Sequence, residues 1–192
     1  MRVVVASSNP DKIAELVELL GDRYAVEPRP PDLAETIEDG DTLEANAEKK
    51  AVEVRDHTGT TALADDTGLF VDALNGRPGV RTGRYAGEQA TSADNVAKLL
   101  AELAGVEDRR AEFRTVIAVA MAGGEVHLAT GVVAGRIAGE VGGADGFGYD
   151  PVFIPDEDDG RTFAEMAPDE KHRISHRARA LGAMFRMLDS LD

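Results

Sequence analysis

The chain has 192 residues, 43% of them hydrophobic, enough for one sizeable core, or two lobes sharing a cleft, within a single domain spanning 1–192. Its formal charge of −15, from 36 acidic against 21 basic residues, argues against nucleic acid as a standing partner, because neutralising phosphates needs a basic face. With no cysteine the chain builds neither disulfides nor thiolate metal sites, which fits a reducing cytoplasm, and no run approaches the roughly 20 apolar residues of a membrane span.

The opening MRVVVASSNP reads as a buried strand, not a signal peptide: Val3 to Ala6 is a continuous apolar run. The polar stretch SSNPDK follows, then Ile13, Leu16, Val17 and Leu20 at helical spacing, with Asn9 suited to the N-cap and Pro10 to the first helical position. A second helix is expected from Thr42 to His57, with Asp41 and Glu44 in a capping-box pattern, and a strand from Thr61 to Ala64. Residues 75–87 are rich in Gly, Pro and Arg and read as an ordered loop, and a helix then starts at Ser92 or Ala93 and runs to Leu103. The apolar stretch from Phe113 to Ala122, the turn at Gly123 and Gly124 and a strand through Val133 predict a hairpin at the centre of the sheet. A glycine-rich loop at 142–150 enters a short strand from Val152 to Ile154, and a last helix is expected from Ser175 to Leu191. No repeat or linker interrupts this order. Hairpin and crossover connections together predict an α/β fold with a mixed, twisted sheet flanked by helices.

Four segments carry groups suited to chemistry. SSNPDK sets hydroxyls, an amide and Lys12 where a strand meets a helix N-terminus, a position that favours anions; it is either a phosphate site or a plain helix cap, and it is not a Walker loop. Asp65 and Asp66 follow a strand and precede a Thr-Gly turn. Neighbours in extended chain point to opposite sides, so one of the pair faces a given cleft, either as a hard ligand for Mg²⁺ or as part of an Asx turn. Asn46 and Lys50 lie four residues apart on one helical face, whereas Glu48 and Lys49 point away and read as solvated. Near the C-terminus, Lys171, His176 and Arg177 concentrate donors at an expected helix start. Cations are unfavourable there unless a ligand or a carboxylate compensates.

The order and wording of these segments resemble the inosine triphosphatase family of nucleotide pyrophosphatases. The matching stretches are SSNPDKIAEL, NAEKKA, ADDTGLFVDALNGRPGVRTGRYAG, GFGYDPVF and TFAEMAPDEKHRISHRARAL, which together cover most of the chain. The resemblance implies an elongated α/β fold with two lobes around a central cleft, a homodimer, and Mg²⁺-dependent hydrolysis of non-standard purine nucleoside triphosphates such as ITP, dITP and XTP to the monophosphate and pyrophosphate. Carried over, Asp66 is the general base and, with Glu38, a metal carboxylate. Ser7, Ser8, Asn9, Pro10, Asp11 and Lys12 hold the triphosphate with Lys50. Thr67 contacts substrate. Phe147, Gly148, Tyr149 and Asp150 surround the base with His176 and Arg177, and Lys171 reaches the nucleotide. The chain departs from the family pattern at three places: Ala45 stands where an acid commonly precedes the helix asparagine, Leu43 replaces an aromatic residue, and Thr67 replaces the commoner serine. A related pyrophosphatase acting on other modified nucleotides is the alternative within this class, and a non-catalytic nucleotide sensor the alternative outside it.

The basic residues comprise only five lysines against sixteen arginines, and runs such as PDEDDG are densely acidic. If this surface is an adaptation to salt, screening its self-repulsion stabilises the fold, over a Debye length that falls from about 10 Å at 0.1 M to 3 Å at 1 M salt. The melting temperature is therefore expected to rise across that range of KCl. A flat or falling series leaves only ordinary acidic solubility.

Overall fold

The structure is a computed structural model and describes residues 2–190. Chain order is β1 (Arg2–Val5), α1 (Pro10–Leu20), β2 (Ala25–Pro28), α2 (Leu43–Thr58), β3 (Ala62–Val71), β4 (Pro78–Gly79), α3 (Ser92–Glu102), β5 (Arg110–Ala120), β6 (Val126–Ile137), β7 (Phe153–Pro155), α4 (Pro168–Ile174) and α5 (His176–Asp189), joined by loops and short 3₁₀ turns. The strands form one sheet in the order β2-β1-β3-β5-β6-β7, with β4 paired to β3. β1 is parallel to β2 and β3, while β4 and β7 run antiparallel to their partners, so the sheet is mixed, as expected. Among the described residues no helix is long and apolar enough to cross a membrane.

Two compact units make up the chain, one of residues 1–66, 115–131 and 177–192, the other of residues 67–114 and 132–176. Each has its own apolar core. In the first, Val3 and Val5 of β1, Leu63 of β3 and Ile117 and Val119 of β5 pack with Leu16 and Leu20 of α1 and Leu181 and Met184 of α5. Val17, which spacing groups with Leu16 and Leu20, is 44% exposed. In the second, Leu69 and Val71 of β3 and Phe113 of β5 pack with Leu99 and Leu103, Val133 and Ile137 of β6, Phe153 and Phe163.

Local chemistry sets the helix ends. Asn9 Oδ1 accepts the N–H groups of Asp11 (2.9 Å) and Lys12 (3.2 Å), and Pro10 occupies the first turn. α2 is capped by Thr42, whose hydroxyl accepts from the Ala45 N–H at 3.1 Å, so the expected Asp41 and Glu44 capping box is corrected by one residue. It ends at Gly59, whose φ of 66° is the left-handed conformation that glycine adopts without cost. The hairpin turn closes through Met121 N–H to Glu125 O at 2.8 Å.

Two readings of the sequence change. β3 does not stop at Ala64 but continues through both aspartates and Thr67 to Val71, so the dipeptide lies within a strand and not in a turn. Acidic residues are poor strand formers, but here buried cations meet them. The C-terminal stretch holds two helices, α4 and α5, divided at Ser175, and the expected end of the last helix at Leu191 lies outside the described residues. α4 escapes periodicity because its seven residues include only one large apolar side chain, Ile174.

Gly135 of β6 faces Pro155 of β7, and a Cβ there would run into the Ile154 carbonyl oxygen and lie 2.8 Å from Phe153 Cζ. Gly135→Ala is expected to destabilise the fold by about 1–3 kcal/mol, read as a lower urea midpoint at unchanged m-value.

Candidate active site

β3 delivers Asp65 and Asp66 to opposite sides, both buried, at 2% and 5% exposure. Asp65 meets two cations: Arg177 donates from Nε at 3.3 Å and from Nη2 at 3.1 Å, and Lys12 Nζ lies 3.2 Å from Oδ2. Arg177 Nη1 also donates to Glu15, a buried carboxylate on α1. Burial alone would raise the Asp65 pKa, but the fields of Lys12, Arg177 and Lys50 override it and hold the carboxyl well below the usual carboxylate range. For Arg177, burial opposes the charge while Asp65 and Glu15 favour it, and the net shift is upward.

Asp66 has the opposite balance. Burial is the largest influence and pushes its pKa up, and the nearby Lys50 and Lys12 only partly offset it. Lys50 Nζ donates to Asp66 Oδ1 at 3.0 Å, to Glu38 Oε1 at 2.7 Å and to the Asp65 carbonyl at 2.6 Å. Asn46 Nδ2 makes a long contact of 3.4 Å to Asp66 Oδ2. One ammonium thus bridges the carboxylates of Glu38 and Asp66. This pair of hard oxygen donors suits Mg²⁺, which typically takes one or two carboxylates and completes its shell with water and phosphate. Among the described residues no group of three or more His, Cys, Asp or Glu side chains is placed to hold a metal, so a protein-only metal cage is absent there.

The residues expected to hold phosphate lie in the loop that enters α1. Ser7 is half-buried with its hydroxyl accepting from Asn9 N–H at 3.3 Å, Ser8, Asn9, Pro10 and Asp11 are exposed, and Lys12 on the first turn reaches back to Asp65. Thr67 lies next along β3, half-buried.

A second cluster belongs to the other unit. Asp150 Oδ2 accepts from Phe147 N–H at 2.9 Å and from Lys171 Nζ at 2.8 Å, closing the loop Phe147, Gly148, Tyr149, Asp150 around its own carboxylate. A Cβ on Gly146 would lie 2.5 Å from that oxygen, and its φ of 74° is left-handed, so glycine is required there. Lys171 Nζ also lies 4.9 Å from the centre of the half-buried Phe147 ring. Tyr149 is buried and donates its hydroxyl to the Thr82 carbonyl at 3.0 Å. His176 is buried and stacks on Phe113, ring centres 4.6 Å apart.

The fold therefore gathers Lys12, Lys50, Glu38 and Asp66 in one cluster and Phe147, Asp150 and Lys171 in another. Arg177, expected beside a base, is 1% exposed and gives its guanidinium to Asp65 and Glu15. These carboxylates are the compensation that a cation at a helix start calls for. Lys49, read as solvated, binds Ile37 O and Asp39. Glu15 escaped sequence reading because it looks like one more charge on an amphipathic helix; its place three residues beyond Lys12, on the buried side with Leu16, was the available signal.

Residues 3–187 match the Ham1 family. A curated relative named dITP/XTP pyrophosphatase from Desulfotalea psychrophila is 48% identical over 183 residues, 93% of this chain and 81% of that protein. One of the same name from Bacillus subtilis is 43% identical over 198 residues, 97% of this chain and 96% of that protein. Among solved structures, the Staphylococcus aureus Ham1 protein superposes with a TM-score of 0.89 at 36% identity, covering 100% of both chains. A nucleoside-triphosphatase described as dITP/XTP pyrophosphatase from Mycobacterium abscessus gives 0.77 at 42% identity, covering 96% of this chain and 98% of that one.

The two aspartates should respond unequally to neutralisation. Asp65→Asn leaves Lys12 and Arg177 short of a buried counter-charge and is expected to cost about 3–5 kcal/mol at pH 7 in urea unfolding. Because the folded pKa of Asp65 is depressed, its contribution is present above the unfolded value of about 3.9 and fades as pH falls toward the folded one, so the gap to wild type should narrow below about pH 4. The folded pKa of Asp66 is raised, so its ionisation opposes folding as pH rises past that same ordinary value. Asp66→Asn removes that burial cost together with one ion pair of Lys50, which Glu38 still meets, so it should lose less stability at pH 7 than Asp65→Asn, and an equal or greater loss in urea unfolding would contradict this account.

Proposed function

Because the chain belongs to the Ham1 family, we propose that it hydrolyses non-standard purine nucleoside triphosphates, namely dITP, ITP and XTP, to the monophosphate and pyrophosphate. One observation carries the reading to particular residues: adjacent buried carboxylates on β3 stand in different charge environments, Asp65 neutralised by Lys12 and Arg177 and Asp66 desolvated beside Lys50 and Glu38. Asp65 is spent on structure. Asp66 has the raised proton affinity that suits a base.

In this reading the loop of Ser7 to Asp11 and the N-terminal turn of α1 offer N–H groups and hydroxyls to the triphosphate, while Lys12 and Lys50 face its negative charge. Asp66 orients the attacking water and accepts its proton. The water oxygen bonds to the α-phosphorus, the bond from that phosphorus to the bridging oxygen breaks, and pyrophosphate leaves with the electron pair. Glu38 and Asp66 would hold Mg²⁺, which supplies further charge stabilisation at the phosphates. Ala45 adds no carboxylate, so Glu38 takes the second place. For the purine, Phe147 offers a stacking face, and Lys171 and His176 as donors suit a C6 carbonyl, not an amino group. The reading places the enzyme in the cytoplasm as a homodimer, to be checked by light scattering.

Pyrophosphate release is the test. With Mg²⁺, kcat/KM for dITP and XTP should exceed that for dATP by at least about a hundredfold, since a site that hydrogen-bonds a substrate group can reject its analogue by about 10⁴. Asp66→Asn should keep nucleotide binding but lose about 10²–10⁴ in kcat. Lys12→Ala should weaken dITP and dATP alike, because phosphates carry no base identity. Activity above a tenth of wild type in Asp66→Asn would remove it from the central role, and preference for a modified pyrimidine would move the enzyme to another substrate class.

A further inference from the structure

Residues 34–40, between β2 and α2, have no regular secondary structure, yet α2 holds them at successive positions. Thr36 Oγ1 donates to Glu53 Oε2 at 2.6 Å. Lys49 Nζ donates to the Ile37 carbonyl at 2.8 Å and to Asp39 Oδ1 at 2.7 Å. Lys50 Nζ reaches Glu38 Oε1 at 2.7 Å. Asn46 Oδ1 accepts the Gly40 N–H at 2.9 Å, and Nδ2 returns a longer bond of 3.4 Å to the Gly40 carbonyl. Helix positions 46, 49, 50 and 53 recur at intervals of three and four and so share one face. As the segment advances from 36 to 40 its partners fall from 53 to 46, so it lies antiparallel along that face.

These contacts bear on one residue. Glu38 is flanked by main-chain ties to α2, at Ile37 O on one side and Gly40 N on the other. The exposed ion pair of Lys49 and Asp39 would count for little alone. Joined to the two main-chain ties, it fixes where the Cα of Glu38 sits and so lets its short carboxylate meet Lys50 beside Asp66. Gly40 must be glycine for this approach, because a Cβ there would lie 2.6 Å from Asn46 Oδ1 and 3.0 Å from Ala45 Cβ. We infer that Asn46 and Lys49 are positioning residues, which dock segment 36–40 along α2 and thereby set Glu38 against Lys50. The inference rests on the reading of Glu38 as a carboxylate that serves the reaction.

The test uses three variants of the full chain, Lys49→Met, Gly40→Ala and Glu38→Gln, with two readouts: amide hydrogen exchange over residues 36–41 and steady-state hydrolysis of dITP. Lys49→Met and Gly40→Ala are expected to speed exchange in that stretch by about tenfold, leave α2 and β3 protected, and lower kcat by about tenfold with KM within about threefold. Lys49→Arg, which can reach both acceptors, should return exchange and kcat toward wild type. Glu38→Gln should lower kcat while exchange at Gly40 stays slow. Unchanged exchange in both docking variants overturns the inference even if Glu38→Gln is impaired, and so does faster exchange at undiminished kcat. If Glu38→Gln hydrolyses dITP like wild type, the role given to Glu38 fails, and the positioning of it fails too. Should Gly40→Ala not fold, Lys49→Met alone decides.

Discussion

The ionised carboxylate of Asp65, held in the interior, is the constraint on which the first unit is organised. A buried charge without a partner is too costly to persist, so the fold must bring cations to it. Lys12 and Arg177 do so from the first turns of α1 and α5, the helix ends where a cation is least welcome. Each element thereby corrects a defect in the others: the aspartate needs counter-charge, and the two helix starts need an anion. Glu15 completes the balance by taking the third nitrogen of the guanidinium. In this unit β3, α1 and α5 are consequently joined by polar contacts as well as by the apolar packing of Leu16, Leu63 and Leu181.

With Asp65 anchored, its neighbour acquires different properties from the same strand. Alternation turns Asp66 to the other side, where the Lys50 ammonium, shared with Glu38 and a carbonyl, and the field of Lys12 only partly offset its burial. Neither residue type nor position in sequence separates the two. Their surroundings do, and surroundings that hold one proton affinity down while raising the other divide structural from chemical duty.

Much of this was legible in the sequence. Hydrophobic spacing located the main helices and the hairpin, Asn9 and Pro10 marked the start of α1, and the matching stretches named the family from one end of the chain to the other. What stayed hidden depends on partners remote in sequence. Strand formation through Asp65 and Asp66 runs against local propensity and is possible because Arg177, 112 positions away, meets the charge. Arg177 read as a ligand-facing donor because sequence shows donors but not which acceptors fold against them. Lys49 is solvent-accessible as read, but its acceptors, Ile37 O and Asp39, stayed hidden because they lie in a segment without periodicity. β2 was missed for a simpler reason, being four residues long and ending in proline.

The division of the chain into two units has a consequence for descent. The backbone passes from one to the other at four places, after Asp66, Arg114, Gly131 and His176, so neither unit corresponds to an uninterrupted stretch of coding sequence. Recombination cannot exchange one of them as a cassette, and truncation from the C-terminal end strips α5 from the first unit before it reaches the second. Asp66 and Thr67, and likewise His176 and Arg177, are sequence neighbours assigned to different units. A single crossover anywhere between the first and last segment of a unit therefore separates residues that pack in one core.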